Sequence, residues 1–224
     1  MKSLFIENGF NLSDEQLDKF ARYKDLLKEY NEMFNITAIT DDEEIVKKHF
    51  IDSLFGADYI SGKLIDVGSG GGFPAIPIKI YKDDIDVTLL EATEKKCNFL
   101  NIVIKELGLK NIRVIKGRAE ELAKKELRES FDFASARAVA RLNTLLEYCL
   151  PFVKKGGKFV SYKGDAVEEV NECDNALKEL GGELETVKNF DFYGAKRSIV
   201  VVNKIKNTPP KYPRGKGKER KNPL

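Results

Sequence analysis

Residues 63–77 read KLIDVGSGGGFPAIP. The apolar run Leu64–Val67 contains a single acid and is typical of a buried parallel strand. The next five residues, Gly68–Gly72, have almost no side chains and predict a turn where a ligand can approach the backbone. Residues Phe73–Tyr81 predict a helix, since proline is tolerated in a first helical turn. A strand, a glycine turn and a helix in this order form half of a nucleotide-binding βαβ unit.

The spacing of the glycines distinguishes between nucleotide ligands. The dinucleotide fingerprint G-x-G-x-x-G requires a third glycine at position 73, where this chain has Phe73. The chain instead has G-x-G-x-G at Gly68, Gly70 and Gly72, preceded by Asp66. This pattern resembles motif I of the class I (Rossmann-like) S-adenosylmethionine-dependent methyltransferases. The resemblance implies that the three glycines bind the methyl donor S-adenosylmethionine.

Length and composition describe a globular α/β protein. The chain has 224 residues, of which 42% are hydrophobic and 33% charged. No apolar run approaches membrane-spanning length, and the N-terminus lacks a secretory signal, so we expect a cytoplasmic protein with no membrane partner. Cys97, Cys149 and Cys173 form neither a C-x-x-C pair nor a metal-binding spacing. We therefore expect reduced thiols and no metal, and we expect a monomer.

The charges are distributed unevenly along the chain. Residues 204–224 contain eight basic residues and one acid, although the formal net charge of the whole chain is only +2. From Thr208 onward, prolines, glycines and lysines predominate, and such a composition does not bury a core. We therefore expect residues 206–224 to form a flexible basic tail that meets a polyanionic partner.

The first part of the chain, residues 1–60, predicts a helical extension packed on the body. Ser13 and Gln16 have the spacing of a capping box, and apolar residues then recur at helical intervals. Thr40 predicts the start of a second helix. The only histidine, His49, lies on or beside the apolar face of that helix, where a packed core histidine is the simplest interpretation.

Residues 61–205 predict the catalytic body, which in the class I fold is a seven-stranded, mostly parallel sheet. Within this body, we expect a turn at Lys154–Gly157 and a single helix over Ala166–Leu180. Glu91 ends the second strand close to the ~20 residues after the glycines at which a carboxylate binds ribose hydroxyls. The candidate strands are Leu64–Val67, Asp86–Leu90, Ile112–Ile115, Phe131–Ala136, Lys158–Tyr162, Leu184–Phe190 and Ser198–Asn203.

The absence of certain sequence motifs excludes some classes of methyl acceptor. No cysteine has the Pro-Cys context that C5 methylation of pyrimidines uses, and Ser135–Ala138 lack the Pro-Pro-Tyr element of exocyclic amine methylation. A guanine N7 fits, because its in-plane lone pair is free at neutral pH and its attack requires no general base. We expect no catalytic acid or base. Arg137 and Lys163 would position the guanine or a phosphate.

Several segments together resemble the RsmG (GidB) family, bacterial methyltransferases that modify a guanine N7 in 16S ribosomal RNA. The segments are Asn35–Ile39, Lys48–Leu54, the glycine motif, the pair Ala119-Glu120, and Ala136–Ala138. The resemblance implies that the partner is 16S rRNA or the small ribosomal subunit.

The resemblance and the charge pattern also assign site residues. The donor would be contacted by Gly68, Phe73, Ala119, Glu120 and Arg137, with Gly70, Gly72 and Glu91 added from the motif. The RNA would be contacted by His49, Lys95, Lys163, Arg197, Arg214 and Lys216. Because the last two lie in the tail, we expect deletion of residues 208–224 to weaken RNA binding and to leave donor binding nearly intact.

Three other functions compete with this interpretation. Phe73 at the third glycine position counts against an NAD-dependent oxidoreductase. The glycines together with Glu91 and Glu120 count against a non-catalytic rRNA-binding assembly protein that only retains a donor pocket. A small-molecule methyltransferase would have little use for the basic tail.

Overall fold

The glycine turn lies at the carboxyl edge of a seven-stranded sheet in the computed structural model, which describes residues 1–224. The strands are β1 (Lys63–Val67), β2 (Asp86–Glu91), β3 (Ile112–Lys116), β4 (Phe131–Arg137), β5 (Val153–Lys163), β6 (Gly182–Phe192) and β7 (Ala195–Lys204). Their spatial order is β3-β2-β1-β4-β5-β7-β6, and β7 is the one strand that runs in the opposite direction to the other six. The expected sheet of a class I methyltransferase is confirmed.

The strand order creates the ligand-binding edge. β1 pairs in parallel with β2 on one side and with β4 on the other, so that Asp66 is opposite both Leu89 and Ser135. The chain direction across the sheet reverses between β1 and β4. In open α/β sheets, ligands bind outside the carboxyl ends of the strands at such a switch point. The residues that follow β1 and β4 are therefore those with access to a ligand.

The N-terminal helices cover one face of the sheet. At the start of the long helix Asp14–Phe34, the side chains of Ser13 and Gln16 exchange hydrogen bonds with each other's backbone, which confirms the capping box. Phe20, Tyr23 and Leu27 point from this helix into a core shared with the helices Ala75–Tyr81 and Glu94–Glu106. The helices in chain order are α1 (Lys2–Glu7), α2 (Asp14–Phe34), α3 (Asp42–Ile45), α4 (Asp52–Leu54), α5 (Ala75–Tyr81), α6 (Glu94–Glu106), α7 (Ala119–Leu122), α8 (Leu142–Cys149), α9 (Val167–Asn171), α10 (Asp174–Leu180) and α11 (Lys218–Lys221).

The second helix of the extension starts one residue later than the sequence predicted. Asp41, not Thr40, is the N-cap of α3, because its carboxylate accepts the backbone N–H groups of Glu43 and Glu44. The helix continues through a π-helical turn, Val46–Ile51, into α4. Wide turns of this kind are frequent at functional sites, and this one carries His49.

Two of the predicted connections differ in the structure. Residues Lys154–Gly157 belong to β5 instead of forming a turn, beside an irregularity in the pairing of β4 with β5. Because Gly157 has no side chain, β5 can approach β4 closely at this point. A Cβ atom on Gly157 would collide with the carbonyl oxygen of Asp132 in β4. β6 and β7 extend further than predicted and meet in a tight hairpin at Tyr193 and Gly194, which both have positive φ.

Two predicted helices have different bounds. The helix after the glycine turn begins at Ala75, because Gly72 and Phe73 are still part of the turn and donate N–H groups to the carbonyl oxygen of Ser69. The single helix predicted over 166–180 is divided into α9 and α10. The break buries Cys173 completely, and its thiol donates to the carbonyl oxygen of Val170.

The C-terminal segment is packed against the body, so the prediction of a flexible tail is wrong. Tyr212 is 4% exposed and Glu219 is fully buried. Arg214 forms an ion pair with Glu147, whose side chain has no exposed surface. Arg128 donates hydrogen bonds to three backbone carbonyl oxygens of the segment. From the composition of this segment, its basic residues were expected to be solvated. In the structure several of them form ion pairs with acidic residues of the body.

Two general features of the molecule complete the description. None of its helices is both long enough and apolar enough to cross a membrane. No group of three or more His, Cys, Asp or Glu side chains has the arrangement of a metal site.

Candidate active site

A cavity of about 610 Å³ opens at the carboxyl ends of β1, β2 and β3. We call it the glycine-turn cavity. Its lining includes Gly68, Gly70, Glu91, Ala119 and Glu120. These five residues come from three separate strand exits and were all predicted from the sequence to bind the donor.

The three motif glycines face different surroundings. All three have positive φ, which favours glycine. A Cβ on Gly70 would have no heavy atom nearer than 3.9 Å, so this residue opens the backbone to the cavity. A Cβ on Gly68 would lie 2.8 Å from Val139, and one on Gly72 would lie 2.6 Å from the hydroxyl of Tyr23. Gly72 is therefore required for packing against the core and does not line the cavity.

The carboxylate of Glu91 holds the turn in place. One oxygen accepts the N–H of Gly70 at 2.9 Å and the other accepts the N–H of Thr93 at 2.8 Å. Glu91 is 7% exposed and lines the cavity. Since each carboxylate oxygen has a second lone pair, Glu91 can also accept a hydrogen bond from a hydroxyl group of a ligand.

Asp66 lies buried beneath the turn. One carboxylate oxygen accepts the hydroxyl of Ser135 at 2.7 Å, while Oδ2 has no partner. Burial raises the pKa of Asp66 to about 7, although the hydrogen bonds from serine hydroxyls oppose the shift. The glycine turn thus rests on a carboxyl group that gains a proton near neutral pH.

A second cavity of about 400 Å³ lies beyond the end of β4. We call it the β4 cavity. Its lining includes His49, Asp52, Arg137, Lys163 and Arg197. Four of these five were predicted as positioning or RNA-binding residues, so the structure brings them together. The fifth, Asp52, received no role in the sequence analysis.

Asp52 connects the two arginines of the β4 cavity. Its Oδ2 is 3.2 Å from Nη1 of Arg137, and its Oδ1 accepts a hydrogen bond from Nε of Arg197 at 2.8 Å. Asp52 is 8% exposed. The sequence contained one usable signal, because Asp52 follows His49 by three residues and therefore lies on the same helical face. The identity of its partners required the fold, since they lie in β4 and β7.

His49 is a neutral ring between two partners. Its Nδ1 is 3.2 Å from the guanidinium of Arg137, which has only donors, so Nδ1 accepts and Nε2–H donates to the hydroxyl of Thr37 at 2.8 Å. The ring stacks on Phe73 with centroids 4.3 Å apart. Burial and the charge of Arg137 lower the pKa of His49 to about 3. His49 therefore remains uncharged throughout the neutral range.

Lys163 fixes the loop that follows β4. Its ammonium group lies 2.6 Å from Glu169 and donates to the carbonyl oxygen of Ala140 at 2.7 Å. Glu169 also accepts the N–H of Leu142, the first residue of α8. These bonds hold the C-terminal end of the loop 138–141 and the start of α8. Lys163 therefore positions a loop of the protein itself, and its predicted role of positioning the guanine or a phosphate stays a prediction.

The two cavities meet at Ala138. This residue has a φ of +58° and is in the lining of both cavities. A ligand in one cavity is therefore adjacent to a ligand in the other. Three observations fit S-adenosylmethionine in the glycine-turn cavity: the backbone opened by Gly70, the carboxylate of Glu91 and the volume of the cavity.

Five predicted residues lie outside both cavities, and one of them, Gly72, packs against the core as described above. Phe73 is 7% exposed and lies under Arg137, whose guanidinium carbon is 5.0 Å from the ring centroid. Lys95 is exposed on α6, with its ammonium 5.8 Å from the ring centroid of Phe34. Arg214 is engaged by Glu147, as described above, and Lys216 is exposed in the C-terminal segment.

Comparison with known proteins gives a consistent result. A family profile described as "GidB: rRNA small subunit methyltransferase G" matches residues 16–200. A protein of Acetivibrio thermocellus named "Ribosomal RNA small subunit methyltransferase G" is 50% identical over 100% of this chain and 97% of its own length. A Clostridium perfringens protein of the same name is 48% identical over 100% of this chain and 97% of its own length.

Solved structures share the fold at much lower identity. M. jannaschii TYW2 in complex with AdoMet is similar over 70% of this chain and 76% of its own, with a TM-score of 0.55 and 17% sequence identity. At this sequence identity, the similarity shows a shared fold, namely the sheet with its helices.

Proposed function

Because this chain belongs to the GidB family, rRNA small subunit methyltransferase G, we propose that it methylates N7 of a guanine in small-subunit ribosomal RNA. S-adenosylmethionine is its cofactor. The observation that carries the proposal is the contact of the two cavities at Ala138, with cations gathered on the acceptor side.

The glycine-turn cavity is the donor site of this proposal. S-adenosylmethionine, when bound, supplies a methyl group activated by a sulfonium sulfur. Gly68 and Gly70 present their backbone, Glu91 accepts ribose hydroxyls, and Ala119 with Glu120 borders the base. Gly72, Phe73 and Arg137 support this site from below, since they pack or bond beneath the turn and line no part of it.

The β4 cavity is the acceptor site. Lys48, Arg137, Lys163 and Arg197 contribute four positive charges to its lining, against two negative charges from Asp52 and Glu169. This excess favours a phosphate-bearing ligand. Arginine also pairs well with the O6 and N7 edge of guanine. His49 would contact the RNA in this cavity, and Lys95 and Lys216 would do so from the exposed surface.

The groups of the β4 cavity that could abstract a proton are engaged by other residues of the protein. Its two carboxylates form ion pairs, Asp52 with Arg137 and Arg197 and Glu169 with Lys163. His49 has both ring nitrogens engaged and a pKa lowered to about 3 by burial and by Arg137. The hydroxyl of Tyr162 donates to the carbonyl oxygen of Ser53, and burial raises its pKa well above the usual range. A ring nitrogen with a free lone pair is the acceptor that this surrounding permits, because no proton has to leave before attack.

The target guanine must be unpaired or turned out of its helix. In A-form RNA the major groove, which contains N7, is too deep and narrow for side chains to enter. A base displaced from a loop would fit a cavity of about 400 Å³ at the protein surface. We therefore propose a folded loop of the small-subunit RNA, met in the cytoplasm by a monomeric enzyme, as the substrate.

The deciding experiment maps N7-methylguanine on small-subunit RNA from cells with and without the gene. Borohydride reduction followed by aniline cleavage breaks the chain at N7-methylguanine. We expect one cleavage that disappears with the gene and returns with a wild-type copy. The same cleavage pattern in both strains would overturn the proposed function.

A control separates catalysis from the competing idea of an RNA-binding protein without activity. Complementation with Gly70→Val, which obstructs the glycine-turn cavity, should not restore the cleavage. Restoration by this variant would mean that donor binding is not needed and would favour the non-catalytic alternative.

A further inference from the structure

The C-terminal segment borders the glycine-turn cavity. Gly217 and Arg220 are part of its lining, together with Tyr148 of α8. None of the predicted donor residues lies in this segment, and its basic residues were expected to serve RNA binding. We propose that the C-terminal segment is a wall of the donor site and that Arg220 is a donor-binding residue.

The segment is held against the body by buried polar contacts. Arg214 binds Glu147 through its backbone N–H and its guanidinium, at distances from 2.7 to 3.2 Å. The buried carboxylate of Glu219 accepts the N–H of Gly215, and its backbone carbonyl oxygen accepts the hydroxyl of Thr144 at 3.0 Å. These contacts fix the path of the chain on both sides of Gly217.

The side chain of Arg220 connects the segment with the glycine turn. Its Nη2 donates to the carbonyl oxygen of Val139 at 3.2 Å. Val139 in turn packs over Gly68, where a Cβ would lie 2.8 Å from its side chain. The next residue toward the β4 cavity, Ala138, belongs to both cavities. Arg220 thus lies on the donor side of the loop that separates the two ligands.

The charge of Arg220 is available to a ligand. No carboxylate lies within ion-pair distance of its guanidinium, in contrast to Arg214 and Lys211 of the same segment. The hydroxyl of Tyr148 lies beside this guanidinium, whose remaining N–H groups can reach the acceptors that S-adenosylmethionine carries, namely a carboxylate, ribose hydroxyls and adenine ring nitrogens. Guanidinium groups form strong, directional hydrogen bonds with such acceptors.

The proposal rests on the donor site and is independent of which base is methylated. The test is therefore titration calorimetry of S-adenosylmethionine and S-adenosylhomocysteine with the full chain in the absence of RNA. Arg220→Ala should raise the dissociation constant of both ligands about tenfold, which corresponds to ~1.4 kcal/mol. Arg220→Lys, which keeps the charge, should have a smaller effect.

Two further variants distinguish ligand contact from simple packing. Lys221→Ala is the matched control, because Lys221 is the next residue of α11, is exposed and does not line the cavity. It should bind as the wild type does. Arg214→Ala should lower both the melting temperature and the donor affinity, since it leaves Glu147 buried without its partner.

The melting temperature of Arg220→Ala decides between the two roles. Arg220 is exposed and its polar protein contacts are the carbonyl oxygen of Val139 and the hydroxyl of Tyr148, so its replacement should change the melting temperature much less than Arg214→Ala does. Wild-type donor affinity in Arg220→Ala would overturn the proposal. A loss of affinity accompanied by a fall in melting temperature as large as that of Arg214→Ala would overturn it as well. Both results are independent of RNA and leave the proposed methylation of guanine to its own test.

Discussion

The two cavities share a wall at Ala138 but differ in construction. The floor of the glycine-turn cavity is formed by the glycine turn and the ends of two neighbouring strands, and the loop after β4 and the C-terminal segment border it. The β4 cavity is formed by charged side chains, and its bridging carboxylate, Asp52, joins residues that are 85 and 145 positions away. The first is shaped by small residues and the second by ion pairs.

This difference has an energetic consequence. A backbone cradle is supported by the sheet, so a substitution that fills it should reduce ligand binding more than stability. A network of buried charges depends on each of its members, because the removal of one leaves another charge unpaired. Substitutions in the β4 cavity should therefore reduce stability and binding together. The following predictions test whether substitutions in the two cavities differ in this way in their effects on stability and binding.

Asp52→Ala should have the largest effect on stability. The substitution leaves the guanidinium groups of Arg137 and Arg197, which are 14% and 22% exposed, without their carboxylate. We expect the free energy of unfolding to fall by roughly 3 kcal/mol, measured by urea denaturation. Asp165→Ala is the matched control, since its pair with Lys196 is largely exposed and should contribute less than ~1 kcal/mol. Equal losses in the two variants would contradict the contrast.

Asp66 should make stability depend on pH. Burial raises its pKa from 3.8 to about 7, so the folded state favours the protonated carboxyl. The stability that Asp66 contributes is present below pH 3.8 and is lost as the pH rises through about 7. Asp66→Asn should remove this dependence, worth roughly 2–3 kcal/mol between about pH 5 and 8.

The measurement for Asp66 is a series of urea denaturations across this pH range. The two curves of stability against pH should diverge toward high pH, with the variant less sensitive than the wild type. Parallel curves would mean that Asp66 is ionised in the folded protein and that the turn does not rest on a protonated carboxyl.

Gly70→Val should separate binding from folding. The new side chain would enter the open space of the glycine-turn cavity, and its backbone at a φ of +57° would be strained. Gly156→Val is the matched control, because Gly156 also has a positive φ of +86° and open space beside it, but lies in β5 away from both cavities. We expect donor affinity to fall at least about tenfold in Gly70→Val alone.

The stability of the two glycine variants provides the comparison. Both should lose stability by a similar amount, since the backbone strain is alike. Unchanged donor affinity in Gly70→Val, measured by calorimetry on folded protein, would remove the glycine turn from the donor site.

His49→Gln should have the smallest effect on chemistry. The neutral ring accepts from Arg137 and donates to Thr37, and its pKa is lowered to about 3 by burial and by Arg137. Single-turnover methyl transfer at saturating donor and RNA should slow by less than about tenfold, whereas the loss of a true acid–base group costs roughly 10²–10⁴-fold. A slowing of ~10³-fold or more would assign a catalytic role to His49.

The sequence was sufficient to predict the glycine-turn cavity because the determinants are local. Gly68, Gly70 and Glu91 are assigned by spacing along a strand, a turn and the next strand, and parallel strands bring these ends together. The seven strands were also located, with errors at their ends. Those errors arose where tertiary packing decides, as at Gly157, whose close approach to Asp132 no local pattern reveals.

The β4 cavity and the C-terminal segment were less accessible to sequence reasoning. Arg137 and Lys163 were identified from their chemistry and Arg197 from the family resemblance, but Asp52, which holds two of the three, was not identified. The segment after Lys204 was predicted to be flexible because it contains many charged residues. The composition of a segment does not reveal whether acids elsewhere in the fold, here Glu147 and Glu179, form ion pairs with these charges.

The position of β7 has a consequence for how the protein is made. β6 is synthesised first, yet its only neighbour in the sheet is β7, which pairs with β5 on its other side. A nascent chain therefore exposes the edge of β5 until the last strand has left the ribosome, and unpaired edges invite aggregation. A premature stop within β7, residues 195–204, would leave the edge of β5 unpaired, and proteases and chaperones would act on such a product.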